Sequence, residues 1–241
     1  MTFKLQNLMM GMLFAATAAM IPSQAIAQDP PPGAIFDLST VNPGVLDTYT
    51  QFSTTFVADS TTEDVSFAFR EVPAYFSFDD ACVTATNCTT GNLLSDPGFE
   101  ASAGVVGSNF PVGWDRWIQP VDTEAIGEVD STGYGCGDNP HSGTIFWCDG
   151  SVQGYDALYQ QLTDLVVGTT YTVSWWLDDN SDQDINNPNI DMLVYAGDEI
   201  PIGTMTIGTG PSSVTPEPSS LLLLGTGILG IAAKLRSMRK K

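Results

Sequence analysis

The sequence predicts an all-β protein, a jelly-roll-like β-sandwich between an N-terminal signal peptide and a C-terminal transmembrane helix. Three observations predict it. Short segments rich in β-branched and aromatic residues recur between turn residues along about 180 residues. No long stretch between the two ends has a helical period. Each end carries an apolar run without charge. Many short strands in a chain of this length are typical of a sandwich or jelly roll.

Alternation along the chain indicates which segments form strands. Val65, Phe67 and Phe69 alternate with polar or small residues, which is the period of a strand with one buried face. The same period predicts that the adjacent Trp175 and Trp176 point to opposite faces. The predicted strands are residues 50–58, 65–70, 74–78, 144–147, 170–177 and 190–195.

The charge of the chain is strongly negative and unevenly distributed. The formal net charge is −20, yet six of the eight basic residues lie near the two ends. Arg70 and Arg116 are the other two, against all 28 acidic residues of the chain, Glu217 of the tail included. Such a field repels nucleic acid phosphates and suits cations or a hydrated matrix. We therefore expect no nucleic acid partner.

The first 27 residues have the pattern of a secretory signal peptide. Lys4 supplies a positive start, residues 8–21 are apolar, and Ala25-Ile26-Ala27 is a small-x-small cleavage pattern. Signal peptidase is the expected partner, with a mature start at Gln28. The residues that follow, 28–42, are predicted as a Pro-rich leader and a first strand.

The last 28 residues, 214–241, contain three ordered elements. Pro216-Glu217-Pro218 precedes an apolar segment, predicted as a membrane helix over residues 219–233, and a basic cluster ends the chain. An apolar run of about 13 residues spans roughly 20 Å, short of the ~30 Å hydrocarbon core of a bilayer. The basic end is expected to remain cytoplasmic.

These three elements resemble the PEP-CTERM sorting signal. The resemblance implies recognition by an exosortase in the inner membrane and removal of the tail. It also implies delivery to the cell envelope or an extracellular matrix, with exopolysaccharide as a further partner. A retained single-pass anchor is the alternative. Residues 208–213 are predicted as a flexible linker before this signal.

Two passages of the middle, residues 43–207, resemble jelly-roll modules of the galactose-binding and carbohydrate-binding type. Residues 92–100 are similar to the opening strand of those modules, whereas residues 52–69 and 76–80 are similar to their closing strands. The order is therefore reversed. A circularly permuted single domain joined near residues 89–92 would explain it, as would two incomplete modules. We favour the single domain because neither half alone should bury a full core.

The resemblance to these modules also implies a structural calcium site. Their opening-strand Glu and closing-strand Asp correspond to Glu100 and Asp80, with Asp79 and Asp96 nearby in sequence. Calcium takes 6–8 oxygen ligands, which carboxylates on neighbouring strands can supply. Asp178, Asn180, Asp182 and Asp184 form a weaker alternative without the glycine and glutamate of an EF-hand loop.

The four cysteines of an exported chain favour two disulfides. Of the three connectivities, Cys82–Cys88 with Cys136–Cys148 is the simplest because both pairs are local. No paired CxxC motif occurs, which argues against zinc.

The sequence supports a non-enzymatic envelope or matrix protein best. The first alternative is a module that binds a defined glycan through exposed rings, with Trp114, Trp117 and Trp176 as the predicted sugar-binding residues. The second is a glycoside hydrolase, since carboxylates are abundant. His141 is the only histidine, and no nucleophile elbow or phosphate-binding loop is present. No residue is therefore predicted to be catalytic.

Overall fold

The computed structural model describes residues 29–119, 127–181 and 185–197. The predicted signal peptide, linker and membrane helix lie outside these residues. Within them the chain forms ten strands, two four-residue helices and one 3₁₀ helix, so the all-β prediction is confirmed. In chain order the strands are β1 (Phe36–Asp37), β2 (Thr50–Val57), β3 (Glu63–Arg70), β4 (Phe76–Thr84), β5 (Asp115–Ile118), β6 (Glu128–Ser131), β7 (Ile145–Asp149), β8 (Asp156–Leu162), β9 (Thr170–Asp179) and β10 (Asp191–Gly197). The helices are α1 (Leu38–Val41) and α2 (Cys88–Gly91), and the 3₁₀ helix spans Glu100–Val105.

The strands form two five-stranded antiparallel sheets. The first sheet has the order β1-β10-β3-β8-β5, and the second has the order β2-β9-β4-β7-β6. Strands from before residues 89–92 alternate in both sheets with strands from after them, since β3 lies between β10 and β8, and β4 lies between β9 and β7. Both parts of the chain therefore contribute to one sandwich.

Aromatic rings from both sheets fill the space between them. Phe67 of β3 lies 4.9 Å from Phe78 of β4 and 5.7 Å from Trp175 of β9, measured between ring centroids. All three side chains are fully buried. Alternation places these rings inward because successive side chains of a strand point to opposite faces. Offset and edge-to-face pairs of this kind add about 0.5–1.5 kcal/mol each to the area they bury.

The outer face of the first sheet is covered by the start of the described chain. Tyr195 donates its hydroxyl to the Pro31 carbonyl at 2.7 Å, and the Ile35 amide donates to the Val194 carbonyl at 2.8 Å. A smaller apolar cluster beneath this segment contains Trp117, Tyr155 and neighbouring residues of the sheet.

Residues 92–100 do not form the opening strand that the resemblance implies. They run beside the second half of β4, where the Leu93 amide donates to the Val83 carbonyl at 2.8 Å and the Ala81 amide to the Pro97 carbonyl at 2.9 Å. Pro97 has no amide to donate, and Asp96 and Phe99 have φ values of 46° and 58°. These features prevent a continuous ladder, and the segment continues into the 3₁₀ helix.

Candidate functional site

The outer face of the second sheet carries a concentration of acidic and aromatic side chains. Asp79 of β4 pairs with Trp176 of β9, and Ser77 pairs with Asp178. Because the inward positions hold Phe78 and Leu177, these four side chains point outward. We call the surface that they form with the residues packed over them the acid–aromatic patch. It comprises Tyr49, Ser77, Asp79, Asp80, Asp138, His141, Trp176 and Asp178.

His141 covers the half-buried Trp176 ring. Their ring centroids are 3.9 Å apart with an interplanar angle of 16°, and Tyr49 contacts His141 edge-on at 5.4 Å. The Nδ1 atom of His141 lies 2.7 Å from the Asp80 carboxylate. The imidazole is thus held between an indole ring and a carboxylate, and it occupies one face of the Trp176 ring.

A bulge in β4 presents Asp79 and Asp80 side by side. The register of β4 against β9 shifts between Asp79 and Cys82, and Asp80 has a φ of 48°. Asp79 is fully buried and accepts the amides of Asp80 at 2.7 Å and Ser142 at 3.1 Å. Burial raises the pKa of Asp79 to about 7, while the Ser142 amide lowers it and the Asp80 charge raises it. Asp80 accepts the Ser142 hydroxyl at 3.0 Å.

Glu100 binds the same loop from the other side. One of its carboxylate oxygens accepts the amides of Thr144 at 2.7 Å and Ile145 at 3.0 Å, and the other accepts the Thr144 hydroxyl at 3.0 Å. Burial acts to raise the pKa of Glu100, but these hydrogen bonds outweigh it and the pKa lies below its usual value. Three acidic side chains therefore anchor residues 141–145.

Three of the four predicted calcium ligands, Asp79, Asp80 and Glu100, contact this loop. Asp96 is engaged elsewhere, because its oxygens accept the Ala101 amide at 2.8 Å and the Ser102 hydroxyl at 3.0 Å. In the described part of the chain, one group of three His, Cys, Asp or Glu ligand atoms lies within 4.8 Å, namely Asp130, Cys136 and Cys148. Its cysteines are joined in a disulfide. Calcium binding by Glu100, Asp80, Asp79 and Asp96 stays a prediction.

Two of the three rings that were predicted to bind sugar are buried. Trp114 is 5% exposed, stacks on Phe99 at 5.6 Å and donates its indole N–H to the Asp96 carbonyl. Trp117 is 4% exposed and donates to the Ser66 hydroxyl at 2.9 Å. Buried indoles gain apolar burial together with a partner for the N–H, so neither ring is available to a ligand. Among the described residues the exposed rings are Phe110 and Tyr134, which no pattern in the sequence distinguished.

The two local disulfides are present as predicted. Cys82 is joined to Cys88, and Cys136 to Cys148, with Cα–Cα distances of 5.8 and 6.2 Å. The second disulfide closes the loop that contains His141, so it holds the segment that the acidic side chains anchor.

A second acidic group, which no sequence pattern indicated, lies inside the sandwich. Asp149 ends β7 and Asp156 begins β8, and both are fully buried. Arg116 forms an ion pair with Asp156, while Asp149 accepts the Trp147 indole N–H at 3.1 Å. Burial raises the pKa of Asp149 well above its usual value, Asp156 raises it further, and Arg116 lowers it. Asp is expected at the surface unless it is paired, so no sequence pattern indicates this buried group.

One family of known proteins matches the C-terminal segment of the sequence. Residues 214–240 match the PEP-CTERM protein-sorting motif. No curated protein and no solved structure matches the chain. The PEP-CTERM motif contains Pro216, Glu217 and Pro218, which confirms the prediction of a sorting signal at these residues. It indicates an exported protein that an exosortase sorts to the cell envelope.

The PEP-CTERM motif lies outside the residues that the structure describes. Among the described residues, no helix is long and apolar enough to cross a membrane. The comparisons show no carbohydrate-binding or jelly-roll relative.

The buried Asp149 carboxyl predicts that stability falls as pH rises. Its pKa is raised in the folded state, whereas the unfolded carboxyl titrates near pH 4. The stabilisation by the neutral form is therefore complete below about pH 4 and is lost as pH rises toward the folded pKa, with a slope of up to about 1.4 kcal/mol per pH unit. We expect the free energy of unfolding, measured with guanidinium at several pH values between 4.5 and 7, to fall less steeply with pH in Asp149→Asn than in the wild type.

The control for this measurement is Asp115→Asn, a change at an exposed position of β5. It should leave the pH slope as in the wild type. Equal slopes in all three proteins would show that Asp149 does not titrate in this range.

Proposed function

We propose that this protein is a non-enzymatic component of the cell envelope or extracellular matrix, delivered through its PEP-CTERM tail by an exosortase. The match of residues 214–240 to the sorting motif carries the proposal. The signal-peptide pattern of residues 1–27 supports it, because a sorting tail acts only on an exported chain. The two disulfides also suit an oxidising compartment.

The acidic surface favours a hydrated polysaccharide matrix as the surrounding of this domain. Between the two ends, two arginines face every acidic residue of the chain except Glu217, so the domain resists self-association and contact with anionic surfaces. The proposed compatibility of the domain with the matrix depends on its overall negative charge and requires no binding pocket.

Two other functions have less support. Binding of a defined glycan requires exposed rings, but Trp114 and Trp117 are buried and His141 covers one face of Trp176. Glycoside hydrolysis requires two carboxylates that face a substrate. The pair formed by Asp149 and Asp156 is fully buried beside Arg116, which is the environment of a structural ion pair.

Fractionation of cells that carry an exosortase tests the sorting proposal. We expect the full chain to be shortened at its C-terminus and recovered in the envelope or matrix. Replacing Pro216, Glu217 and Pro218 together with Ala should abolish the shortening and leave the precursor in the inner membrane, as should deletion of the exosortase. Pro211→Ala, just before the matched residues, is the matched control and should be processed normally.

Processing of the triple variant at the wild-type rate would contradict sorting through this motif. Turnover of any polysaccharide by the purified protein would contradict the non-enzymatic part of the proposal.

A further inference from the structure

A second pair of buried carboxylates lies where β3 and β9 end. Glu71 directly follows Arg70, the last residue of β3, and Asp179 is the last residue of β9. Each side chain is 1% exposed. This pair is separate from the acid–aromatic patch, and the sequence did not single out either residue.

The carboxylate of Glu71 is buried without a hydrogen-bond partner on either oxygen. Its backbone is well fixed, since its amide donates to the Ser151 carbonyl at 3.1 Å. A buried carboxylate costs several kcal/mol unless opposite charge or donors compensate it. Glu100 and Asp79, by contrast, accept several amides and hydroxyls. Of these three acids, Glu71 therefore has the least compensation for a negative charge.

Burial and a neighbouring negative charge both disfavour the ionised form of Glu71. Burial raises the pKa of Glu71 to about 8, and the negative charge of Asp179 raises it further. The Ala74 amide and the Ser181 hydroxyl act in the opposite direction, but neither reaches hydrogen-bond geometry with the carboxylate. Ser181 also donates its amide to Asp179 at 3.0 Å, so it lies beside both acids.

Two stretches of backbone that adjoin the two acids in sequence are held together here. The Asn180 amide donates to the Tyr75 carbonyl at 3.0 Å, and the Asn187 side chain donates to the Val72 carbonyl at 3.5 Å. The turn between β3 and β4 is thus held against the chain that follows β9. Carbonyl, hydroxyl and carboxylate oxygens are the ligands that calcium prefers, whereas zinc prefers nitrogen and sulfur.

We propose that Glu71 and Asp179 bind a calcium ion that joins the end of β3 to the end of β9. The ion supplies the positive charge that the buried Glu71 carboxylate lacks, and it fixes the turn between β3 and β4 to the end of β9. Extracellular calcium modules have dissociation constants of about 10⁻⁴–10⁻³ M, and an affinity in this range suits an exported protein. The proposal does not depend on the sorting function.

Thermal unfolding of the purified full chain in calcium and in chelator tests this site. With 10 mM calcium we expect the Tm to rise by about 3–10 °C. Magnesium should give a smaller rise because it requires a stricter octahedral geometry. Glu71→Gln should remove the calcium response. In chelator this variant should be at least as stable as the wild type, because a neutral amide replaces an acid whose ionised form is disfavoured by burial.

Matched variants decide which acids hold the ion. Asp179→Asn should lose the response as Glu71→Gln does, and it provides the same readout if Glu71→Gln fails to fold. Glu100→Gln and Asp80→Asn should keep the response. No response in the wild type, or a response that survives in both Glu71→Gln and Asp179→Asn, would overturn the proposal. Loss of the response in Glu100→Gln and Asp80→Asn alone would also overturn it and would place the ion at the loop of residues 141–145.

Discussion

Gly127→Ala is expected to destabilise the sandwich by about 3 kcal/mol or to prevent folding, because the added methyl group has no space. A Cβ at this position would overlap the Trp147 ring and the Asp149 carboxylate, and it would lie 2.9 Å from an Asp156 oxygen. These three side chains are fully buried. Interiors are packed as densely as organic crystals, so none of them can move away without displacing the core.

The cost has two physical parts. Overpacking of a buried site costs about 1–3 kcal/mol. Displacement of Asp156 from Arg116 also weakens a buried ion pair, and breaking such a pair costs about 3–5 kcal/mol. Because both parts act at the same carboxylates, they should not add fully.

Guanidinium unfolding of Gly127→Ala and Gly104→Ala measures the effect with an internal control. A Cβ on Gly104 meets nothing within 4 Å, so that variant should change the free energy of unfolding by at most about 0.5 kcal/mol. In Gly127→Ala the guanidinium concentration at the unfolding midpoint should fall. The dependence of the unfolding free energy on guanidinium concentration should stay unchanged, as expected for a loss of stability alone. Similar midpoints for the two variants would mean that Trp147 and Asp149 have freedom that the packed structure does not show.

Strand positions followed from the sequence where alternation was strong. Residues 50–58 and 170–177 were predicted as strands, and β2 (Thr50–Val57) and β9 (Thr170–Asp179) confirm them. Aromatic and β-branched residues at every second position leave few alternatives for such segments. The strand β8 (Asp156–Leu162) was not predicted, because its glutamines and initial Asp obscure the alternation.

The candidate sites were predictable as residue types and not as an arrangement. The sequence singled out Asp79, Asp80 and Glu100, and the structure brings them to one loop. It gave no indication that Glu71 and Asp149 are buried. Whether an acidic side chain is exposed to water depends on which loop packs over it, and that packing is set only in the assembled sandwich.

Removing the Cys136–Cys148 disulfide is expected to cost about 3 kcal/mol, whereas removing Cys82–Cys88 should cost about 2.4 kcal/mol. The first figure is larger because that disulfide closes a longer loop, with a sequence separation of 12 against 6. Cys136 and Cys148 are also both buried, against Phe146, whereas in the other pair Cys82 is buried and Cys88 is exposed. Replacing the first pair with Ala therefore loses packing as well, which widens the difference between the two variants.

His141 provides a direct readout of the site in the same two variants. It is the only histidine of the chain, so its imidazole signals in a proton NMR spectrum are assigned without ambiguity. The Trp176 ring, stacked on His141 at 3.9 Å, should shift these signals strongly upfield. We expect that shift to shrink when Cys136 and Cys148 become Ala, because the loop of residues 141–145 then keeps only its carboxylate anchors.

The shift should persist when Cys82 and Cys88 become Ala, since that disulfide joins β4 to α2 and does not enclose the loop. If the shift is unchanged in both variants, Asp79, Asp80 and Glu100 alone hold the loop, and the disulfide stabilises the fold without ordering the acid–aromatic patch. If it shrinks equally in both, the loop responds to global stability. Loss confined to the Cys136–Cys148 variant would show that the covalent link between β7 and this loop positions His141 over Trp176.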